Sequence, residues 1–487
     1  MAGIDRRRFL KSVASLPALF LSGDRSPLPS VAADWRSSFR RESSVAAALR
    51  SGQPLPSGAE FPLAPGPPGV TLADRFRDLD RRFVFEYYPW YGREPWRHWD
   101  EGGRRPPDDL ASEYVPRLGA YDSRSRRVIE QHARWIAASG AGAISLSWWG
   151  RGSYEDRTVH GVMDVMKDHG IAVTFGLEPY ADDRGHRFFD DLLYLLTEYG
   201  EKRGWDAFLI LRDEDGSESP VFKGFRTILP EAIVDCHGVT RKVSDYTPDE
   251  VWSRQIDRVR RELRWDFDRV FLLADSLDFS RTPASGFDGI GIYDNFIGPE
   301  RYRALARDAS SVGLLFSFNV NPGYDEIPRE DVPPDRCYQP RPFAPETGPL
   351  DFGRADHREL AAALSIGRVR RSFEATIEIQ NDTRLSNYRS GFFLVYVNSF
   401  NEWHEGHAFE PMKDDLELTA EERACGYHNP GWGDYRLWAL AEAIRPLVTG
   451  RQVETGRRAS ASGNRSAAPN RGHRSNREEN PGFAPLP

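Results

Sequence analysis

Residues 392–411, FFLVYVNSFNEWHEGHAFEP, run from an apolar strand into a polar turn carrying two carboxylates three residues apart, Glu402 and Glu405. Trp403 and His404 lie between them, placed to desolvate or hydrogen-bond the acids, and Gly406 permits a tight turn. An acid and a base at the end of a buried strand make a catalytic rim; the competing reading is a solvated acidic loop. The choice depends on the scaffold to which the strand belongs.

Working outward, the run at 392–397 is the last of eight short β-branched or aromatic runs, the others lying at 83–88, 143–148, 172–177, 207–211, 269–274, 289–293 and 313–318. Helical patterns fall between them, at 125–139, 159–169, 188–199, 248–263, 299–309 and 354–370, and a closing helix covers 434–447. Eight strand–helix units in a 487-residue chain predict a closed (β/α)8 TIM barrel over residues 82–448, with a doubly wound open sheet as the alternative.

Active sites of such barrels gather at the C-terminal ends of the strands. Those ends carry Tyr87-Tyr88-Pro89-Trp90-Tyr91, Trp148-Trp149, Glu178-Pro179-Tyr180, Arg212-Asp213, Asp275-Ser276, Tyr293-Asp294-Asn295, Asn319-Val320-Asn321 and the stretch 398–405. A cleft lined this way suits a polyhydroxylated ligand, held by ring stacking and directed hydrogen bonds. Glycosyl transfer needs a proton delivered to the leaving oxygen and a second carboxylate that activates water, attacks carbon or deprotonates a hydroxyl. Two carboxylates facing one cavity push their pKa values apart, so one stays protonated near neutrality. Glu402 and Glu405 are the candidate pair.

Composition narrows the alternatives. A net charge of −8 argues against a general nucleic-acid binder. The three cysteines, Cys236, Cys337 and Cys425, match no metal-ligand spacing and no disulfide framework. The histidines show neither HExxH nor close grouping, Asp74, Asp78 and Asp80 lack a full calcium loop, and no phosphate-cradling glycine fingerprint follows a predicted strand. Neither cofactor nor metal is expected, and no protein partner.

The flanks are of different material. Residues 1–33 contain DRRRFLK ahead of a weakly apolar stretch, which resembles a twin-arginine export signal with Val31-Ala32-Ala33 as cleavage site, and predict a periplasmic or extracellular protein. Residues 34–81 form an arm and a Pro/Gly-rich linker, and 449–487 a basic tail expected to be disordered. No other segment reaches the 18 apolar residues of a membrane span, so no stable insertion is expected after signal removal.

SFNEWHEG, taken with EYYPWYG, WRHW at 96–99, YVPRLGAYDS at 114–123, SWWG at 147–150 and NPGYD at 321–325, resembles glycoside hydrolase family 99, the endo-α-mannosidase and endo-α-mannanase family. The shared order of these blocks covers most of the chain. The resemblance implies a metal-free (β/α)8 barrel that cuts inside α-mannosyl chains with retention. It also implies unequal roles: Glu402 as general base toward the sugar's own 2-hydroxyl, forming a 1,2-anhydro sugar, and Glu405 as acid toward the leaving group and then base toward water. That route requires the 2-hydroxyl trans to the departing group, as in an α-mannoside. An α-mannosyl oligosaccharide or polysaccharide is the implied substrate.

Around the pair, Tyr91, Trp149, Tyr180, Tyr293 and Tyr324 are candidates for stacking or hydroxyl contacts, and Glu86 and Glu178 for hydrogen bonds to sugar. His98 beside Trp99 reaches toward substrate in this reading. The bland alternative for these rings is packing between strand and helix layers. Three features depart from the family pattern. His407 stands where a threonine is usual, the polar alternation of 373–390 suggests an extra hairpin, and the family's arginine near NPGYD has only Arg329, Arg336 and Arg341 as alternatives. Two further readings stay open, a barrel hydrolase of another polysaccharide and a non-catalytic carbohydrate-binding barrel.

Overall fold

The computed structural model describes residues 70–323 and 350–449, apart from 214, 215, 236 and 296. The export signal, most of the N-terminal arm, Tyr324, the three alternative arginines and the tail from 450 lie outside them.

Eight parallel strands form the centre: β1 (Phe83–Tyr87), β2 (Ala143–Trp148), β3 (Ala172–Leu177), β4 (Glu218–Gly224), β5 (Phe271–Ala274), β6 (Gly289–Gly291), β7 in two pieces (Leu315–Ser317 and Asn319–Val320) and β8 (Val395–Val397). The lower piece of β7 pairs with β6, Gly289 opposite Leu315, and its upper piece pairs with β8, Asn319 opposite Tyr396. Since β8 also pairs with β1, Phe83 opposite Val395, the sheet closes on itself. Helices follow the strands in turn: α1 (Arg126–Ser139), α2 (Tyr154–Asp168), α3 (Arg184–Leu195), α4 (Asp249–Leu263), the short α5 (Arg281–Ala284), α6 (Pro299–Ser311), α7 (Ala355–Gln380) and α8 (Tyr435–Val448). The chain is a (β/α)8 barrel.

The two-residue period of a strand divides its side chains between two cores. Val84, Ala143, Ala172, Val221, Phe271, Leu273, Leu315, Leu394 and Tyr396 fill the barrel. Their alternates Phe83, Phe85, Ile144, Leu146, Val173, Phe175, Phe222, Leu272 and Val395 pack beneath the helices. Counting upward in twos along the inner rows brings Glu86, Ser147, Glu178, Lys223, Asp275, Tyr293 and Asn398 to the C-terminal mouth.

Strand 4 differs from expectation. The run 207–211 supplies a single parallel bridge, Phe208 to Val173, and then leaves the barrel. Ile210–Arg212 pairs antiparallel with the first residues of β4, Arg212 opposite Glu218, and β4 completes the wall by pairing with β3 and β5. Arg212 and Asp213 are therefore not at the mouth. Arg82, the residue before β1, donates to the Arg212 carbonyl and lies 3.6 Å from Asp213, at the opposite end of the barrel.

The segment 373–390 holds no hairpin. α7 continues through it to Gln380, and a five-residue helix, Ser386–Ser390, precedes β8. Ser372, Thr376 and Gln380 recur every four residues on the buried face, and Gln380 both donates to the Leu394 carbonyl and accepts from the Leu394 amide at 3.1 Å. Ser372 is satisfied instead within α7 and by the Asn321 amide, so it is Gln380 that ties the stripe to β8.

Because β1 and β8 are neighbours, the long loops that follow them meet over the mouth. Tyr91, Trp99, Leu110, Tyr114 and Tyr121 from the first pack with Trp403, Ala408, Met412 and Tyr427 from the last in a core of their own. That second core, separate from the barrel, holds the loop that carries the two glutamates.

Candidate active site

The loop after β8 is tied down on both sides. The Phe400 amide donates to the Glu86 carbonyl at 2.8 Å, and Asn401 pairs with the backbone of Tyr88 through both ends of its amide, at 2.8 and 2.9 Å. The loop also closes on itself: the Phe409 amide donates to the Ser399 carbonyl and that of Glu410 to the Phe400 carbonyl, at 2.9 and 2.7 Å. Arg436, buried on α8, donates to the carbonyls of Gly406 and Ala408 at 2.8 and 2.9 Å. Residues 402–406 form the held tip.

Glu402 is 2% exposed. Its amide donates to Ser399 Oγ at 2.8 Å, and its Oε1 lies 2.9 Å from His404 Nδ1. His404 Nε2 faces the His98 carbonyl at 2.7 Å. A carbonyl can only accept, so Nε2 carries a hydrogen. Nδ1 faces the Glu402 carboxyl and, at 3.4 Å, the Tyr91 hydroxyl. His98 adopts a φ of 61°, a left-handed conformation that turns its carbonyl to this task.

Glu405 keeps 18% of its side chain exposed, and its Oε2 accepts from the Tyr293 hydroxyl. His407 Nε2 lies 3.1 Å from the same oxygen. Both glutamates face one chamber with Tyr88 and Glu178. The Tyr88 hydroxyl is held far above its ordinary range by burial, and then by the negative charges of Glu178, Glu402 and Glu405.

Lys223 on β4 is buried and ion-paired with Glu86 across the barrel. A Cβ on Gly291 would come within 2.9 Å of the Lys223 chain, so β6 needs glycine at that level. Burial pulls the ammonium down to about 8, against the pull of Asp275. Asp275 itself is pushed up to about 6 by burial, opposed by Lys223. Half-buried Trp90 and Trp149, 6.4 Å apart, form an aromatic wall, with His98 stacked on Trp90 at 4.6 Å.

The structure sorts the sequence candidates. Glu86, Trp149, Glu178, Tyr293 and His98 join Glu402 and Glu405 around the chamber. Tyr91, Trp99, Trp403 and His404 are buried beneath it. Tyr91 accepts from the Trp403 amide at 3.0 Å, Trp99 donates to the Tyr121 carbonyl at 2.7 Å, and Trp403 donates to Glu410 at 2.9 Å. Tyr180 packs on Trp148 and donates to Asp191, between strand and helix layers. Lys223 and Tyr88 were not singled out from sequence; strand alternation places Lys223 inside once 218–224 is known to be the strand.

The donor atoms of His98, Glu101 and His404 all fall within 4.8 Å of one another, a histidine grouping invisible in the sequence. His98 Nδ1 bonds Glu101 Oε1 at 2.5 Å, and both nitrogens of His404 have the partners described above. Protein hydrogen bonds account for the grouping, and no ligand role is assigned to it.

The description "Glycosyl hydrolase family 99" belongs to the family model that matches residues 82–209. The chain is 27% identical over 360 residues to the glycoprotein endo-alpha-1,2-mannosidase-like protein of Danio rerio, covering 66% of this chain and 69% of that one. It is 24% identical over 356 residues to the glycoprotein endo-alpha-1,2-mannosidase of Mus musculus, covering 66% of each. The GH99 endo-alpha-mannosidase structure from Bacteroides thetaiotaomicron superposes with a TM-score of 0.53 at 20% identity, over 77% of this chain and 99% of that one.

The chain is similar to glycoside hydrolase family 99. Its similarity spans about two thirds of the length of the curated relatives named above. That likeness marks it as a glycosidase, and the Bacteroides thetaiotaomicron structure shares its barrel.

Glu178 gives the site a pH signature. Burial pushes its carboxyl up to about 8, opposed by a hydrogen bond from Ser147 and by Arg184, and reinforced by Glu402 and Glu405. A carboxyl that binds its proton more tightly folded than unfolded makes the fold less stable as pH climbs from its ordinary value of 4.5 to about 8. Glu178→Gln removes that dependence. Its melting temperature relative to the parent should therefore rise by a few degrees between pH 5 and 8, as followed by scanning calorimetry; a difference that stays flat with pH would contradict the assignment.

Proposed function

We propose that the chain is an endo-acting, retaining glycoside hydrolase of α-mannosyl glycans that works through a 1,2-anhydro sugar. The observation that carries this reading is that Glu402 and Glu405 stand on one clamped loop, open to one chamber, each backed by its own imidazole. The substrate class is supported by the names of the relatives, which are endo-α-mannosidases.

In the first step Glu402 takes the proton of the 2-hydroxyl. The freed O2 attacks C1 from the side opposite the leaving group while Glu405 gives its proton to the departing oxygen. The C1–O2 bond closes the epoxide as the glycosidic bond breaks. In the second step Glu405 takes a proton from water, water oxygen bonds to C1, the C1–O2 bond breaks, and O2 regains its proton from Glu402. Two inversions give net retention. Lys223 and Glu178 at the chamber floor are positioned to orient sugar hydroxyls, and Trp90 and Trp149 offer ring faces to a pyranose.

The experiment uses α-mannosyl oligosaccharides with and without the 2-hydroxyl on the sugar to be cleaved internally, with product anomers followed by proton NMR. Expected are α-configured first products from the native sugar and no turnover of the 2-deoxy analogue. Cleavage of the 2-deoxy analogue would exclude the anhydro route, a β first product would exclude retention, and release of only non-mannosyl fragments from a glycan library would exclude the substrate class.

A further inference from the structure

We propose that His407 is a positioning residue for the acid–base carboxylate Glu405, holding Oε2 as a hydrogen-bond acceptor so that the acid proton is kept on Oε1. The inference rests on the proposed hydrolase reading and goes beyond it, because the residue stands where the family resemblance leads to threonine.

Geometry fixes the direction of the bond. His407 is fully buried, with Nε2 3.1 Å from Glu405 Oε2 and 3.3 Å from the Tyr293 hydroxyl oxygen. Tyr293 has one hydroxyl proton and donates it to Glu405 Oε2. Nε2 therefore faces two acceptor oxygens and carries a hydrogen itself, since a bare lone pair there would meet only other lone pairs. Two donors converge on Oε2, and the carboxyl proton belongs on the other oxygen.

The backbone that carries the ring is held independently of that contact. The Ser399 amide donates to the His407 carbonyl at 3.2 Å, and Arg436 clamps the carbonyls on either side, Gly406 and Ala408. The titratable groups facing Glu405 and its partners are Tyr88, Glu178 and Glu402 across the chamber, Lys223 at 5.9 Å from the Tyr293 ring, and Asp275, which accepts from the Tyr293 amide. Glu178 and Glu402, when charged, favour the protonated acid. His407 and Tyr293 oppose them by donating to the carboxylate. A donor to the charged form lowers a carboxyl pKa, so removing His407 raises that of Glu405.

The alkaline limb of kcat/KM reports the acid that must be protonated in the free enzyme. His407→Phe, which keeps a ring without a donor, should move that limb up by about one pH unit. It should also lower kcat/KM about 10-fold or more on an α-mannosyl oligosaccharide, and far less on an α-mannosyl disaccharide bearing a dinitrophenolate leaving group that needs no proton. His407→Gln, with an amide donor close to the Nε2 position, should retain the parental limb. In parallel, the Glu405 carboxyl is titrated by carbon-13 NMR in the substrate-free full chain, its signal assigned by loss in Glu405→Gln, and should titrate higher in His407→Phe. This last readout separates the two ideas: an upward shift in a protein inactive on mannosides upholds the contact and fails the hydrolase reading. An unshifted carboxyl in folded His407→Phe, or equal losses with both leaving groups, would overturn the proposal.

Discussion

Glu402→Gln and Glu405→Gln each lower kcat/KM on an α-mannosyl oligosaccharide by about 10²–10⁴-fold, the usual worth of a positioned acid or base. The two losses differ in kind. In the proposed mechanism Glu405 delivers a proton to the leaving oxygen, so in Glu405→Gln the first step recovers when that oxygen belongs to dinitrophenolate, and the second step, which needs a base toward water, becomes limiting. In that mechanism Glu402 takes the 2-hydroxyl proton whatever leaves, so Glu402→Gln is not recovered by any leaving group. The geometry adds a constraint on Glu402: it is hydrogen-bonded to His404, whose other nitrogen is committed to the His98 carbonyl. A glutamine there presents either its oxygen or its amide to Nδ1, neither of which accepts a proton from sugar. Steady-state kinetics with paired substrates checks this, and full turnover retained in both variants would remove the pair from the chemistry.

The site was legible from sequence where strand alternation reached it. Glu86, Glu178 and Tyr293 lie on inner rows whose lower members, Val84, Ala172 and Gly289, are plainly small or apolar, so their inward direction follows from counting in twos. Lys223 escaped because its strand reads SPVFKG, with a proline and a buried charge, while the more strand-like 207–211 really does touch β3 at Phe208 before turning away. The hairpin expected at 373–390 failed for a related reason: the buried face of α7 is polar at residues 372, 376 and 380, so a reading keyed to apolar spacing saw the wrong period. Trp99 and Tyr91 were rim aromatics by position in the chain. Which aromatic lines a cleft and which supports it depends on how two loops about 300 residues apart pack, as Trp403 and Tyr91 do (|i−j| = 312), and spacing carries no information on that.

The same loop packing makes Glu410 the support whose loss reaches furthest. It is 1% exposed and accepts from the Tyr121 hydroxyl at 2.8 Å, Trp403 Nε1 at 2.9 Å and His132 Nε2 at 3.2 Å. Tyr121 in turn receives the Asn401 amide at 3.2 Å, and Asn401 ties the loop to β1. His132 Nε2 faces an acceptor and carries the hydrogen, which leaves Nδ1 to accept from Tyr87 at 3.0 Å. Glu410→Ala strands three buried donors at once, each costing about 1–3 kcal/mol. Relaxation of the two loops recovers part of that, so a net loss of about 3–5 kcal/mol is expected from urea unfolding, in the range found for breaking a buried polar pair. Glu410→Gln keeps the volume and one acceptor but turns an amide toward a donor, so it falls between parent and alanine. Activity should fall further than stability requires, because Trp403 sits between Glu402 and Glu405 and its indole nitrogen is anchored by Glu410. A Glu410→Ala protein within about 1 kcal/mol of the parent, with kcat/KM unchanged, would show that the loop is held by its backbone clamps, Asn401 and Arg436, without this carboxylate.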